Sequence, residues 1–183
     1  MRNLLRMITT FIVVMSLGAS LDPVFAKSKR EAAAILEAKV KLSEAISVAQ
    51  KEIPGGKPVD ADLVTTKDGK VIYSIELAKD DEQNLHKVSV DMQNASVIEV
   101  SRKQVAAKDV QRVKAAKQAK VTMVEAIAIA EKQFPGGIIA AAEAKFRKGQ
   151  LVYVVDIERN GLHVVHVHPD SGSVLSTAPK IDD

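Results

Sequence analysis

The chain repeats itself, and that repeat limits what it can fold into more than any other feature. Residues 44–56, Glu-Ala-Ile-Ser-Val-Ala-Gln-Lys-Glu-Ile-Pro-Gly-Gly, recur at 125–137 as Glu-Ala-Ile-Ala-Ile-Ala-Glu-Lys-Gln-Phe-Pro-Gly-Gly, identical at eight of 13 positions with an offset of 81. Further landmarks follow in the same order. Gly69 and Tyr73 answer to Gly149 and Tyr153, Val88–Asp91 to Val165–His168, and Val97 to Val174. Two copies of one unit of about 60 residues account for most of the chain. A unit that small is marginal alone, so the copies are expected to pack together or with partners.

Within each copy the hydrophobic period changes from helical to extended. Leu42, Ile46, Ala49 and Ile53 are spaced four, three and four apart and share one helix face, as do Met123, Ile127, Ala130 and Phe134. Pro54 and Pro135 end these helices, because the residue before proline resists the helical conformation. Thr122 and Glu125 form a capping-box pattern. Lys41 occupies the matching place in the first copy, where the helix is expected to continue back into Glu31–Ala38. Val71, Tyr73, Ile75 and Leu77, and Leu151, Tyr153, Val155 and Ile157, alternate as strands do. Asp68-Gly69, Lys148-Gly149, Asn160-Gly161 and Asp170–Gly172 mark turns. The reading is α+β, each copy a helix packed on a small antiparallel sheet. The expected organisation is an N-terminal helical extension at 27–40, a first unit at 41–100, a basic helical linker at 101–120, a second unit at 121–178 and a tail at 179–183.

Before the repeats, Arg2 and Arg6 precede an apolar stretch, Met7–Leu21, and then Val24 and Ala26 as small residues. This order matches a secretory signal cleaved after Ala26. The stretch is shorter than the roughly 20 residues a membrane-spanning helix needs. The expected product is therefore exported to the periplasm or the extracellular space.

Composition narrows the function. The chain has no Cys, which excludes disulfides, thiol nucleophiles and thiolate metal sites. Phe11 and Phe25 lie in the expected signal, leaving Tyr73, Phe134, Phe146 and Tyr153, too few rings for a base-stacking platform. A net charge of +3 does not indicate a nucleic-acid binder. No nucleophile elbow, phosphate-binding loop, dinucleotide fingerprint or metalloprotease helix is present, so neither enzymatic activity nor a cofactor is expected.

The ordered landmarks resemble the PepSY domain family. They are Glu44–Ile46, Pro54–Gly56, Gly69–Tyr73 and Val88–Asp91 in the first copy. In the second they are Glu125–Ile127, Pro135–Gly137, Gly149–Tyr153 and Val165–His168 with Asp170–Val174. Two departures stand out: Asn94-Ala95 replaces the usual glycine turn, and His168 replaces the usual Asp. The resemblance implies an exported, non-catalytic accessory or binding module, with a proposed inhibitory or regulatory action on proteases.

Three residue groups are candidates for binding. His163, His166 and His168 cluster on one strand, and His166 and His168 share a face at a spacing suited to metal ligation, with Asp156 as a further ligand. A two-residue Asn160-Gly161 turn sets Val155 opposite His166, whereas a three-residue loop sets Asp156 there. The segment Ser101–Lys120 carries Arg102, Lys103, Lys108, Arg112, Lys114, Lys117 and Lys120 against Asp109 alone, a net +6. It reads as a helix with Val105, Val110 and Val113 partly buried. It is either a solvated spacer or a dock for a membrane surface or an acidic partner. Asp80–Glu82 reads as a solvated hairpin tip. Val97–Val100 and Val174–Ser176 are short final strands, candidate edges for an extended peptide or protein partner such as a protease. Exported protein is expected to have the mass of residues 27–183; an intact mass retaining Met1–Ala26 would overturn the signal reading.

Overall fold

The computed structural model describes residues 33–79 and 83–180. The expected signal with its Ala26 cleavage point, and the acidic tip Asp80–Glu82, lie outside the described residues. Helix α1 (Leu42–Glu52) buries Leu42, Ala45, Ile46 and Ala49. Strands β1 (Lys57–Thr65), β2 (Val71–Ala78), β3 (Asn84–Val90) and β4 (Val97–Gln104) follow. A short 3₁₀ turn (Ala107–Asp109) leads into α2 (Val110–Gln118). The second copy supplies α3 (Met123–Gln133), β5 (Ile138–Arg147), β6 (Gln150–Glu158), β7 (Leu162–Val167) and β8 (Val174–Pro179).

All eight strands form one antiparallel sheet in the order β4-β3-β2-β1-β5-β6-β7-β8. The two copies join through their equivalent first strands, at Asp60↔Glu143, Ala61↔Ala142 and Asp62↔Ala141. Ala61 and Ala142 are themselves 81 apart, so equivalent positions face each other across a local twofold axis. Helices α1 and α3 pack side by side on one sheet face. Tyr73, Ile75, Leu77, Val88 and Val90 of one copy, and Tyr153, Val155, Ile157, Val165 and Val167 of the other, join their apolar faces in a continuous core. Neither β1 nor β5 is distinct in the sequence. Strand β1 has Pro58 as its second residue and carries two Asp, while the Ala run of β5 favours helix by propensity.

The Gly-x-x-x-Tyr landmark has a physical role. The Tyr73 hydroxyl donates to Val40 O at 2.8 Å, and the Tyr153 hydroxyl donates to Val121 O at 2.8 Å. Each tyrosine thus ties the chain entering a helix to the sheet beneath it. In the first copy Lys39 N–H and Val40 N–H also donate to Met92 O, at 3.1 Å each. This anchoring breaks the expected helical run. Residues 33–37 are helical, but α1 begins afresh after Lys41, which gives it no side-chain cap. Helix α3 has its capping box, with Glu125 N–H donating to Thr122 Oγ1 and Thr122 N–H donating to Glu125 Oε2.

The Pro-Gly-Gly landmark combines two constraints. Gly55 and Gly136 adopt φ of 81° and 77°, values that side chains disfavour. Their neighbours are fixed by proximity. A Cβ on Gly137 would lie 2.7 Å from Ile157 Cδ1 and 3.0 Å from Phe134 O, and one on Gly56 would lie 2.9 Å from Ile53 O.

Two boundaries move. Residues 101–104, read from sequence as the start of the linker, extend β4, and β8 runs to Pro179. The helix of the linker is α2 alone; it buries Val113 and Ala116 and packs against β1 and β5. The β6–β7 register also differs from both expected alternatives. Glu158 pairs with Leu162 across Arg159–Gly161, which sets Val154, rather than Val155 or Asp156, opposite His166. Asn160 and Gly161 take φ of 54° and 115°, and Gly161 N–H donates to Glu158 Oε1 at 2.9 Å. Pairing Val155 with Val165 keeps both valines under the helices, whereas a one-residue slip would drive an imidazole into the core.

Gly137→Ala is expected to lower stability by about 1–3 kcal/mol through overpacking. Tyr73→Phe and Tyr153→Phe should each cost about 1 kcal/mol through the lost hydrogen bond. Chemical denaturation of each variant measures these differences.

Candidate functional site

The sheet face opposite α1 and α3 carries an unusual row of acids. Alternation along β1 puts Asp60 and Asp62 on this face. Asp60 stands directly across from Glu76 on β2 and from Glu143 on β5. Like charges directly opposed on a sheet repel, and here they are partly desolvated. The Asp60 carboxyl is pushed up to about 7, first by burial and then by Asp62, Glu143 and Glu76, with Arg112 acting against the rise.

Basic side chains answer the outer members of this row. Lys103 Nζ lies 2.5 Å from Glu76 Oε1. In the second copy Lys180 pairs with Asp156. Lys103 and Lys180 are 77 apart, the offset that relates Val88 to Val165, so the same ion pair is built twice. Each ties the second strand of a copy, across the third, to its fourth strand (Lys103) or to the residue that follows it (Lys180). Lys145 Nζ lies 3.1 Å from Glu143 Oε2. From α2, Arg112 Nη1 donates to Ala144 O at 3.1 Å and lies 3.8 Å from Glu143 Oε1. Glu76 Oε2 and Arg112 Nε are buried without a hydrogen-bond partner.

The basic segment, by sequence either a solvated spacer or a dock, divides its side chains between internal pairing and exposure. Of Arg102, Lys103, Lys108, Arg112, Lys114 and Lys117, the second and fourth serve internal pairs, and Arg112 is only 14% exposed. Arg102, Lys108 and Lys114 are exposed, whereas Lys117 is half-buried. Sequence reasoning missed Asp60, Asp62 and Glu143. The signal was present in the alternation Val59-Asp-Ala-Asp-Leu63, which places both Asp on one strand face.

The three histidines do separate work. His163 stacks on Phe134 with ring centroids 4.5 Å apart, and its Nε2 meets Arg159 O at 3.0 Å. His166 Nδ1 bonds Ser176 Oγ at 2.7 Å, and its Nε2 is buried without a partner. Burial, then the Arg147 charge, holds His166 below its ordinary pKa, with Asp156 opposing. His168 lies beyond β7, where its Nδ1 accepts from Asp170 N–H and Ser171 N–H at 3.2 Å each. The equivalent Asp91 accepts from Gln93 N–H at 2.7 Å. The replacement of Asp by His therefore preserves a turn acceptor. At the next equivalent pair, Ala95 takes the φ of 60° that Gly172 meets at 70°. The expected His166–His168–Asp156 metal site is not assembled. His168 is committed to its turn and Asp156 to Lys180, and among the described residues no group of three or more His, Asp or Glu is placed to hold an ion.

Two clefts, of 230 and 320 Å³, sit at the low end of small-ligand sites, which span roughly 300–1,000 Å³. The outer strands are more distinctive. Strand β4 leaves Val97, Ile98 and Val100 exposed at 38%, 48% and 43%, whereas Leu175 is the large apolar side chain exposed on β8. Both strands are ends of the sheet.

Comparison with known families gives matches at residues 39–101 and 120–178 to PepSY, described as "Peptidase propeptide and YPEB domain". The chain belongs to the PepSY family. No curated protein matches the sequence. A crystal structure from Clostridium difficile 630, described as that of a candidate lipoprotein, is 21% identical with a TM-score of 0.46, covering 78% of this chain and 95% of that one. The PepSY matches account for both repeats and leave the α2 connector between them. Among the described residues no helix is long and apolar enough to cross a membrane.

Lys103→Ala should strand the Glu76 carboxylate and cost about 1–2 kcal/mol, below the usual figure for a buried pair because the lysine is half exposed. Lys114→Ala, on the exposed side of α2, should stay within about 0.5 kcal/mol. Equal losses in urea melts would overturn the distinction.

Proposed function

We propose that this tandem PepSY protein is exported, is not an enzyme, and binds an extended segment of a cell-envelope protein, a protease foremost, along β4. The observation that carries this reading is the exposed apolar run Val97, Ile98 and Val100 on an outermost strand. An edge strand offers backbone donors and acceptors that an added strand can satisfy, while neighbouring apolar side chains select the sequence that adds. Sheet ends of this kind are usually blunted by charge or proline, and the first half of β4 has neither beyond Glu99. The family description, which includes peptidase propeptides, supports a protease as the partner. The N-terminal pattern Arg2–Ala26 supports export.

Selection of random extended peptides on the purified protein tests the reading. Enriched peptides should alternate apolar residues, and Val100→Lys should weaken them tenfold or more by calorimetry, while Leu175→Lys leaves them unchanged. The protein should also slow casein cleavage by a solubilised envelope fraction, an effect lost in Val100→Lys. Absence of enrichment, or equal binding by Val100→Lys, would overturn the edge site; unchanged proteolysis would overturn the protease partner.

A further inference from the structure

The row Glu76–Asp60–Glu143 crosses the one place where the two PepSY sheets meet. Strands β1 and β5 are registered over just three residue pairs, and the Asp60↔Glu143 pair is one of them. Directly opposed residues on an antiparallel pair have Cβ atoms only about 4.5–5.5 Å apart. The charged groups around Asp60 come from every neighbouring element. Asp62 stands on its own strand, Glu76 on β2, Glu143 on β5, and Arg112 on α2 with Asp109 behind it. The cations are drawn outward. Lys103 holds Glu76, Lys145 holds Glu143, and Arg112 is shared among Glu143, Ala144 O and Asp109. Asp60, at the centre, is the member whose charge is least well answered.

We propose that the β1–β5 seam is a proton-dependent joint between the two PepSY units, closed while this row keeps a proton and loosened when the row loses it. Protonated, Asp60 can donate a hydrogen bond to a facing carboxylate; ionised, it adds a like charge to a partly buried row. The sign follows from linkage. Asp60 in the folded chain holds its proton up to about pH 7, against an ordinary value of 3.8. The folded state then binds more protons than the unfolded state between these values, so the stabilisation is complete below about pH 4 and is lost as pH rises through about 7. The loss falls on the strand that supplies half of the seam.

Because the chain has no Cys, Lys51→Cys and Lys132→Cys place one spin label on the exposed side of each helix, α1 and α3. Pulsed electron-resonance distances and amide exchange are measured at pH 5 and pH 8 on the full mature chain. At pH 8 the inter-label distribution should broaden. Protection of the Ala61 and Ala142 amides, corrected for intrinsic exchange, should fall about tenfold or more, while Val88 and Val165 keep theirs. Asp60→Asn should abolish the pH response, and Asp68→Asn, in an exposed turn, should leave it intact. Glu143→Gln removes one facing charge and should move the transition to lower pH, which supplies a second reading where Asp60→Asn does not fold. Distances and protection that match at both pH values in the unmutated chain would overturn the proposal. So would an Asp60→Asn protein that keeps the pH response, or a Glu143→Gln midpoint that does not move.

Discussion

Pairing between β1 and β5 is the interaction on which the rest of the molecule depends, because it turns two four-stranded sheets into one of eight. Without it each unit would present its first strand as a bare edge and bury only its own small core. With it, α1 and α3 lie side by side and a single apolar layer runs beneath both. The contact is isologous: Ala61 faces Ala142, its own counterpart in the other copy. This is the geometry of a twofold dimer contained in one chain, with α2 as the covalent tie. Pairing the inner strands also leaves β4 and β8, again counterparts, as the two outer edges.

Charge organises the other face of the sheet. The Glu76–Lys103 and Asp156–Lys180 pairs repeat with the fold, each tying a second strand, across a third, to a fourth or to the residue that follows it. A buried ion pair is weak evidence for net stability, since desolvation opposes attraction, but its geometry constrains how the outer strand sits. The row around Asp60 is completed only where the units meet, because Glu143 comes from the second unit and Asp60 and Glu76 from the first. The linker charge is thus divided. Arg112 lies mostly buried against the sheet and Lys103 reaches from the surface to the buried Glu76, so both help hold the sheet, while Arg102, Lys108 and Lys114 stay exposed.

Much of the fold was legible because its signals are local and occur twice. Helix faces, the Thr122 capping box and the Pro-Gly-Gly stops depend on neighbours three or four residues away, and the other copy repeats the faces and the stops, though not the cap. Strands β1 and β5 were not legible, because alanine-rich and aspartate-bearing segments carry weak strand propensity and become strands by pairing with β2 and β6 and, over three residue pairs, with each other. The histidine cluster shows the opposite error. His166 and His168 have a spacing that permits shared ligation, but turn N–H donors occupy His168 Nδ1 and a cross-strand hydroxyl occupies His166 Nδ1, and only the assembled hairpin shows this.

By itself the sequence determined that this protein is two related α+β units behind an apolar N-terminal stretch, because periodicity and repetition are properties of the chain. Tertiary structure alone decided that the units share one sheet, that Lys103 and Arg112 pair with acids of that sheet, that Asp60 faces Glu76 and Glu143, and that Val97, Ile98 and Val100 stay uncovered. The reason is physical. Register and cross-strand proximity bring together residues up to about 80 positions apart, and burial then decides the charge and exposure of each.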